Sequence, residues 1–113
     1  MGIDGVLNQL VEKLKAADPY KIVLFGSYAR GTAMPDSDID LMVVLDNNDI
    51  AKTYTERLEK RLHIDRLVRD IHYKYSMDIL VYSKAELKKV KDYGNFFVDE
   101  INKTGKVIYG KYS

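Results

Sequence analysis

Asp38 and Asp40 open the run Asp38-Ile39-Asp40-Leu41-Met42-Val43-Val44-Leu45. Residues two apart on a strand point to the same side, so both carboxylates face one spot while Ile39, Leu41, Val43 and Leu45 face the other. Met42 and Val44 carry the acidic face into apolar surroundings. Two like charges there lose hydration and repel each other unless a cation lies between them. Carboxylate oxygens suit Mg²⁺ or Mn²⁺, and Mg²⁺ completes its octahedron with water and phosphate oxygens. The alternative for such a pair is a solvent-exposed strand end whose charges blunt a sheet edge.

Upstream, the β-branched and aromatic run Lys21-Ile22-Val23-Leu24-Phe25 stops at Gly26-Ser27-Tyr28-Ala29-Arg30-Gly31. This reads as a buried strand with a sharp exit at Gly26, and Ser27 is expected to cap a short helical turn. A helix N-terminus offers unpaired N–H groups to an anion. Beside two acids, such a turn suits a nucleoside triphosphate, which the acids would engage through a divalent ion. Arg30 lies in the same loop, where its guanidinium either forks onto phosphate oxygens or makes solvent contacts. Tyr28 either packs over the turn or stacks on a base, and Asp36 is expected to shape a turn after Pro35.

A third acid arrives in Ser76-Met77-Asp78-Ile79-Leu80-Val81-Tyr82, again near the start of an apolar strand. If the two acidic strands are neighbours, Asp78 lies beside Asp38 and Asp40. Three acids can hold two divalent ions about 3.5–4 Å apart, the spacing used for displacement at phosphorus.

The elements that must position these groups are readable from periodicity. Val6, Leu7, Leu10, Val11 and Leu14 predict an amphipathic helix that stops before Asp18-Pro19. Tyr54, Leu58, Leu62 and then Ile64, Leu67, Val68, Ile71 and Tyr75 predict a long helical stripe with a break near His63. Ser83 is expected to cap a helix over Lys84 to Val90, and a last helix from Asn95 to Lys103 to bury Phe96, Phe97, Val98 and Ile101. Lys106 to Tyr109 closes the series as a strand. This alternation predicts an α/β (α+β) fold: a small mixed sheet, helices packed mainly on one face, and the acids on the exposed side.

The chain has 113 residues, 46% hydrophobic and 31% charged. That balance fits one core. The formal net charge of +1 argues against nucleic acid as the main partner. The basic residues between Ile50 and Tyr75 alternate with Glu56, Glu59, Asp65 and Asp70 at helical spacing, which suits a solvated helix face more than a phosphate groove. His63 and His72 have no ligand partners at metal spacing. Cysteine is absent, which excludes disulfides and thiolate metal sites. No long apolar run suggests a membrane segment, so a cytoplasmic location is the expectation. Nine tyrosines on a short chain leave surface that a homo-oligomer could use.

Together, the strand, Gly26-Ser27, Gly31, Ser37-Asp38-Ile39-Asp40-Leu41 and the later Asp78 resemble the minimal nucleotidyltransferases of the DNA polymerase β superfamily. The resemblance covers nearly the whole chain and implies a single nucleotidyltransferase domain over residues 1–113. It implies that Gly26 and Ser27, with Arg30 nearby, bind the nucleotide phosphates, that Asp38 and Asp40 ligate two Mg²⁺, and that Asp78 completes the site and helps deprotonate an acceptor. Many stand-alone proteins that this chain resembles are antitoxins of the MntA-like type, which attach AMP from ATP to a tyrosine of a HEPN-type toxin. The chain is therefore expected to act as a protein adenylyltransferase. Two alternatives stand beside that reading: a non-catalytic nucleotide-binding module that blocks a partner by contact, and a transferase acting on a small molecule or an RNA end.

Overall fold

A computed structural model describes residues 3–112. Four short apolar runs build its sheet: β1 (Pro19–Phe25), β2 (Ile39–Leu45), β3 (Met77–Ser83) and β4 (Lys106–Gly110), in the spatial order β3-β2-β1-β4. β1 is antiparallel to both β2 and β4, whereas β2 and β3 are parallel. Parallel neighbours need a long crossover. It is supplied by α3 (Tyr54–Leu67) and α4 (Arg69–His72). The remaining helices are α1 (Ile3–Leu14), the single turn α2 (Gly26–Arg30), α5 (Lys84–Asp92) and α6 (Phe96–Thr104). Element order and mixed pairing follow the expectation from sequence.

Alternation along the strands divides the core in two. Ile22, Leu24, Ile39, Leu41, Val43, Leu45 and Ile79 pack with Val6, Leu10 and Leu14 of α1 and with Ile64, Val68 and Ile71 from the α3–α4 crossover. On the opposite face, Val23, Phe25, Met42 and Val44 pack with Leu87 of α5 and with Val98 and Ile101 of α6. The larger group of helices thus lies on one face, as expected, but the acid-bearing face is not bare. Met42 and Val44 are almost wholly buried there, each gaining about 2 kcal/mol from leaving water. The acids therefore sit at the open end of a covered face.

Three local expectations are corrected. The break in the crossover falls at Val68, whose φ of −113° and ψ of 14° leave helical geometry, and not near His63. Tyr54, Leu58 and Leu62 are exposed, so only the later part of that stripe enters the core. Phe96 and Phe97 are exposed as well, at 81% and 51%, while their neighbours Val98 and Ile101 are buried. Periodicity marks an apolar face without saying how much of it a neighbour will cover.

The capping of α5 is as expected. Ser83 accepts a hydrogen bond from the Glu86 backbone N–H, and Glu86 returns one by accepting from the Ser83 N–H. Glu86 also accepts from Lys60 Nζ at 2.7 Å and from the Ala51 N–H at 3.0 Å, tying α3, α5 and the intervening loop together. Among the described residues, no helix is long and apolar enough to cross a membrane.

At the far end of the sheet, Lys111 Nζ reaches Asp18 at 2.9 Å and Asp46 at 2.7 Å, and Lys84 Nζ reaches Asp46 at 2.7 Å. Hydrogen bonds from Lys111 and then Lys84 pull the Asp46 carboxyl down to about 2. A carboxylate lowered in this way stabilises the fold above its unfolded value of about 3.9 and loses that contribution as pH falls toward its folded value. Asp46→Asn should therefore lower the melting temperature at pH 6 and flatten the wild-type loss of stability between about pH 4 and 2. Thermal melts across that range would refute the clasp if the two proteins kept parallel profiles.

Candidate active site

The register of the parallel pair decides where the acids meet. Asp40 of β2 lies opposite Asp78 of β3, and on its other side Asp40 lies opposite Phe25 of β1. Adjacent strands are about 4.8 Å apart, so two carboxylates on one face at one register level are close neighbours. The Ile39 N–H donates to the Ser76 carbonyl at 2.9 Å, fastening the starts of both strands. Just before Asp38, the Ser37 hydroxyl accepts from the Met34 N–H at 2.8 Å, and the Ser37 N–H donates to the Met34 carbonyl at 3.0 Å. Pro35 and Asp36 form the centre of this turn, as expected, and Ser37 closes it ahead of Asp38.

Burial grades the three acids. Asp38 is exposed, the Asp78 side chain is 60% exposed, and Asp40 is half-buried between them. Burial, followed by the charges of Asp78 and Asp38, raises the Asp40 pKa above the ordinary carboxylate value, and Arg30 opposes the rise. Arg30 thus belongs electrostatically to the acid site.

Gly26 is demanded by the same geometry. Its φ of +74° is a left-handed conformation that a side chain disfavours, and a Cβ there would overlap Asp40 Oδ2. The glycine lets the carboxylate lie against the backbone of the turn. Ser27 does not cap α2: the N-cap is Phe25, in extended conformation, and Ser27 lies inside the first turn with its hydroxyl making no hydrogen bond to the described protein. The chain already turns out of β1 at Gly26, whose left-handed φ reverses its direction, so Ser27 falls inside the helical turn rather than ahead of it. Gly31 ends the turn in the left-handed region, its N–H donating to the Ser27 carbonyl. Tyr28 is partly buried and packs against the larger core, in line with the packing reading.

Two neighbours of the site were not foreseen. Arg61 of α3 lies 3.2 Å from Asp65 and 3.8 Å from Asp78. Its four-residue spacing from Asp65 was the visible signal, but nothing in the sequence pointed to Asp78. Phe97 of α6 meets Phe25 edge to face, with centroids 5.7 Å apart, which sets a half-exposed ring beside the strand end that carries Asp40.

An all-carboxylate donor set suits a hard divalent ion such as Mg²⁺ or Mn²⁺. A cation would offset the penalty on ionised Asp40, which burial and the charges of Asp78 and Asp38 impose and Arg30 only opposes. Among the described residues, no three acidic or histidine side chains close around a single point. Asp40 and Asp78 at one register level offer carboxylate oxygens that a divalent ion would share with water and phosphate oxygens.

The family model for the nucleotidyltransferase domain matches residues 3–93. This chain belongs to the nucleotidyltransferase domain family. The match takes in the turn and all three acids. A protein of Methanocaldococcus jannaschii, named as a candidate protein adenylyltransferase, is 34% identical over 80 residues, covering 68% of this chain and 51% of that protein. The chain spans about half the length of the curated relatives it matches. Among solved structures, a toxin–antitoxin complex with AMP-PNP superposes with a TM-score of 0.62 at 21% identity, covering 93% of this chain and 73% of the other. A candidate nucleotidyltransferase from Sulfolobus solfataricus superposes with a TM-score of 0.61 at 18% identity, covering 96% and 81%. These likenesses extend the nucleotidyltransferase assignment to the fold.

The raised Asp40 pKa carries a sign. A carboxylate raised in the folded state costs nothing below its unfolded value, and its penalty develops as pH rises through the folded value. In EDTA at pH 7, Asp40→Asn should therefore melt above the wild type, and the difference should vanish below about pH 4. Gly26→Ala should melt below the wild type at every pH. A lower melting temperature for Asp40→Asn at pH 7 would contradict the assigned electrostatics.

Proposed function

We propose that this chain transfers AMP from ATP to a hydroxyl of a partner protein. Asp38, Asp40 and Asp78 are its catalytic acids, and Gly26, Ser27 and Arg30 bind the phosphates. The observation that carries this reading is the pairing of Asp40 with Asp78 against the Gly26 turn, within a nucleotidyltransferase domain. In the reaction, the acceptor oxygen bonds to the α-phosphorus, the α–β anhydride bond breaks, and pyrophosphate leaves. The acceptor proton passes to Asp78, the more exposed of the two paired carboxylates. The free hydroxyl of Ser27 and the guanidinium of Arg30 orient the triphosphate so that the leaving group lies opposite the attacking oxygen. Two Mg²⁺ held by the three acids would supply charge neutralisation on the phosphates and a lowered pKa at the acceptor hydroxyl. Phe97, half-exposed beside Phe25, offers a ring against which a base can lie.

The choice of acceptor is supported by the relative named as a candidate protein adenylyltransferase and by the toxin–antitoxin neighbour holding AMP-PNP. With the family resemblance, these favour a tyrosine of a HEPN-type toxin in the cytoplasm, and an antitoxin role for this chain. One compact domain over residues 1–113 would then obtain its acceptor docking from the partner.

The test is transfer of label from α-labelled ATP with Mg²⁺ in lysate of the source cells, followed by mass identification of the labelled site. A tyrosine carrying AMP is the expected product. Asp38→Asn and Asp40→Asn should each cut labelling by about 100-fold or more, the scale of losing an electrostatic stabiliser of the transition state, while circular dichroism stays native. Full labelling by either variant refutes the catalytic assignment, and toxin neutralisation by the double variant without labelling would favour blocking by contact.

A further inference from the structure

A second concavity, of about 360 Å³, opens between β1 and α5 on the same sheet face as Asp40. Val44 marks its place, four residues further along β2 than Asp40 and thus about 13 Å away. Its floor is Val44 and Leu87, Tyr20 forms one wall, and four lysines, Lys21, Lys84, Lys88 and Lys91, line it together with one acid, Asp92. Two of those lysines are matched by acids: Lys84 lies 2.7 Å from Asp46, and Lys88 lies 3.9 Å from Asp92. Lys21 and Lys91 have no acidic partner among the described residues. Lys21 is half-buried, and burial, then the charge of Lys91, lowers its pKa below the ordinary lysine value. Two unmatched positive charges facing one hollow are unfavourable alone and favourable around an anion. The Tyr20 ring lies between Tyr112, with centroids 6.0 Å apart, and Lys84 Nζ, 5.4 Å from its centroid, so its edge toward Val44 and Leu87 is the aromatic surface it offers the hollow.

We propose that this hollow binds a phosphate monoester of mononucleotide size, with the phosphate between Lys21 and Lys91 and the ring over Val44, Leu87 and Tyr20. The volume lies in the range of small-molecule sites, and an apolar floor with a few convergent charges is their usual composition. The site is separate from the three acids and does not depend on the transfer reaction.

The experiment is a titration of the ¹⁵N-labelled full chain with AMP in EDTA, following backbone amides. The expected result is saturable shifts at Lys21, Val44, Leu87 and Lys91, with weaker binding by about tenfold or more in Lys21→Met and in Lys91→Met, as loss of a charge-assisted contact implies. Any AMP-induced shifts at Gly26 and Ser27 should keep their wild-type affinity in Lys21→Met and Lys91→Met, which separates this site from the catalytic reading. Shifts confined to Gly26 and Asp40, or affinity unchanged in both lysine variants, would overturn the proposal. So would adenosine or inorganic phosphate binding as tightly as AMP, because each lacks one half of the recognised chemistry. Tighter binding of a short oligoglutamate than of AMP would make the hollow a protein contact and overturn it as well.

Discussion

Parallel pairing of β2 with β3 is the constraint on which the site depends. The ladder runs from Ile39 opposite Met77 to Leu45 opposite Ser83, and it sets Asp40 against Asp78. A slip of one residue would send every side chain of one strand to the other face. That slip is resisted by the opposite side of the same strands, where Ile39, Leu41, Val43 and Ile79 are fully or almost fully buried beneath the crossover helices. Apolar packing on one face thus fixes the position of charges on the other. The charges themselves oppose the arrangement, since they repel and are partly desolvated.

The acid-bearing end of the sheet is costly to the empty protein, and compensations for it lie elsewhere in the fold. Near the acids lie a left-handed glycine, a half-buried carboxylate and exposed aromatic rings. Away from them, capping boxes at Thr53 and Ser83 and the Lys60–Glu86 pair tie helices to loops without straining the backbone. Such a division is expected where binding of a charged ligand, and not the empty protein, is the state that the site is built for.

Much of this was readable before any coordinates. Alternation in Asp38–Leu45 placed the carboxylates opposite an apolar stripe, and the two cores divide along that alternation. The place of Asp78 followed from its likeness to the first acidic strand. What failed were inferences about cover and local caps. Helical spacing made Phe96, Phe97, Tyr54, Leu58 and Leu62 look buried, yet burial depends on what lies opposite, which spacing does not encode. Ser27 looked like a cap because serine favours that position, but the left-handed turn at Gly26, which leaves room for Asp40, puts Ser27 inside the helical turn. The link from Arg61 to Asp78 joins distant parts of the chain and leaves no local signature. Cover of the acid-bearing face by α5 and α6 was likewise a tertiary fact, although buried Met42 and Val44 required something of the kind.

The place of β1 bears on how the chain folds. It pairs on one side with β2, which follows soon after it, and on the other with β4, so that Lys21 meets Gly110 across nearly the whole described length. Contacts between such distant segments incur the larger loop-closure entropy and tend to form late. Docking of β4 is thus the entropically costliest pairing in the sheet, and the flank of β1 that it covers is the edge that detachment of β4 would bare to other strands.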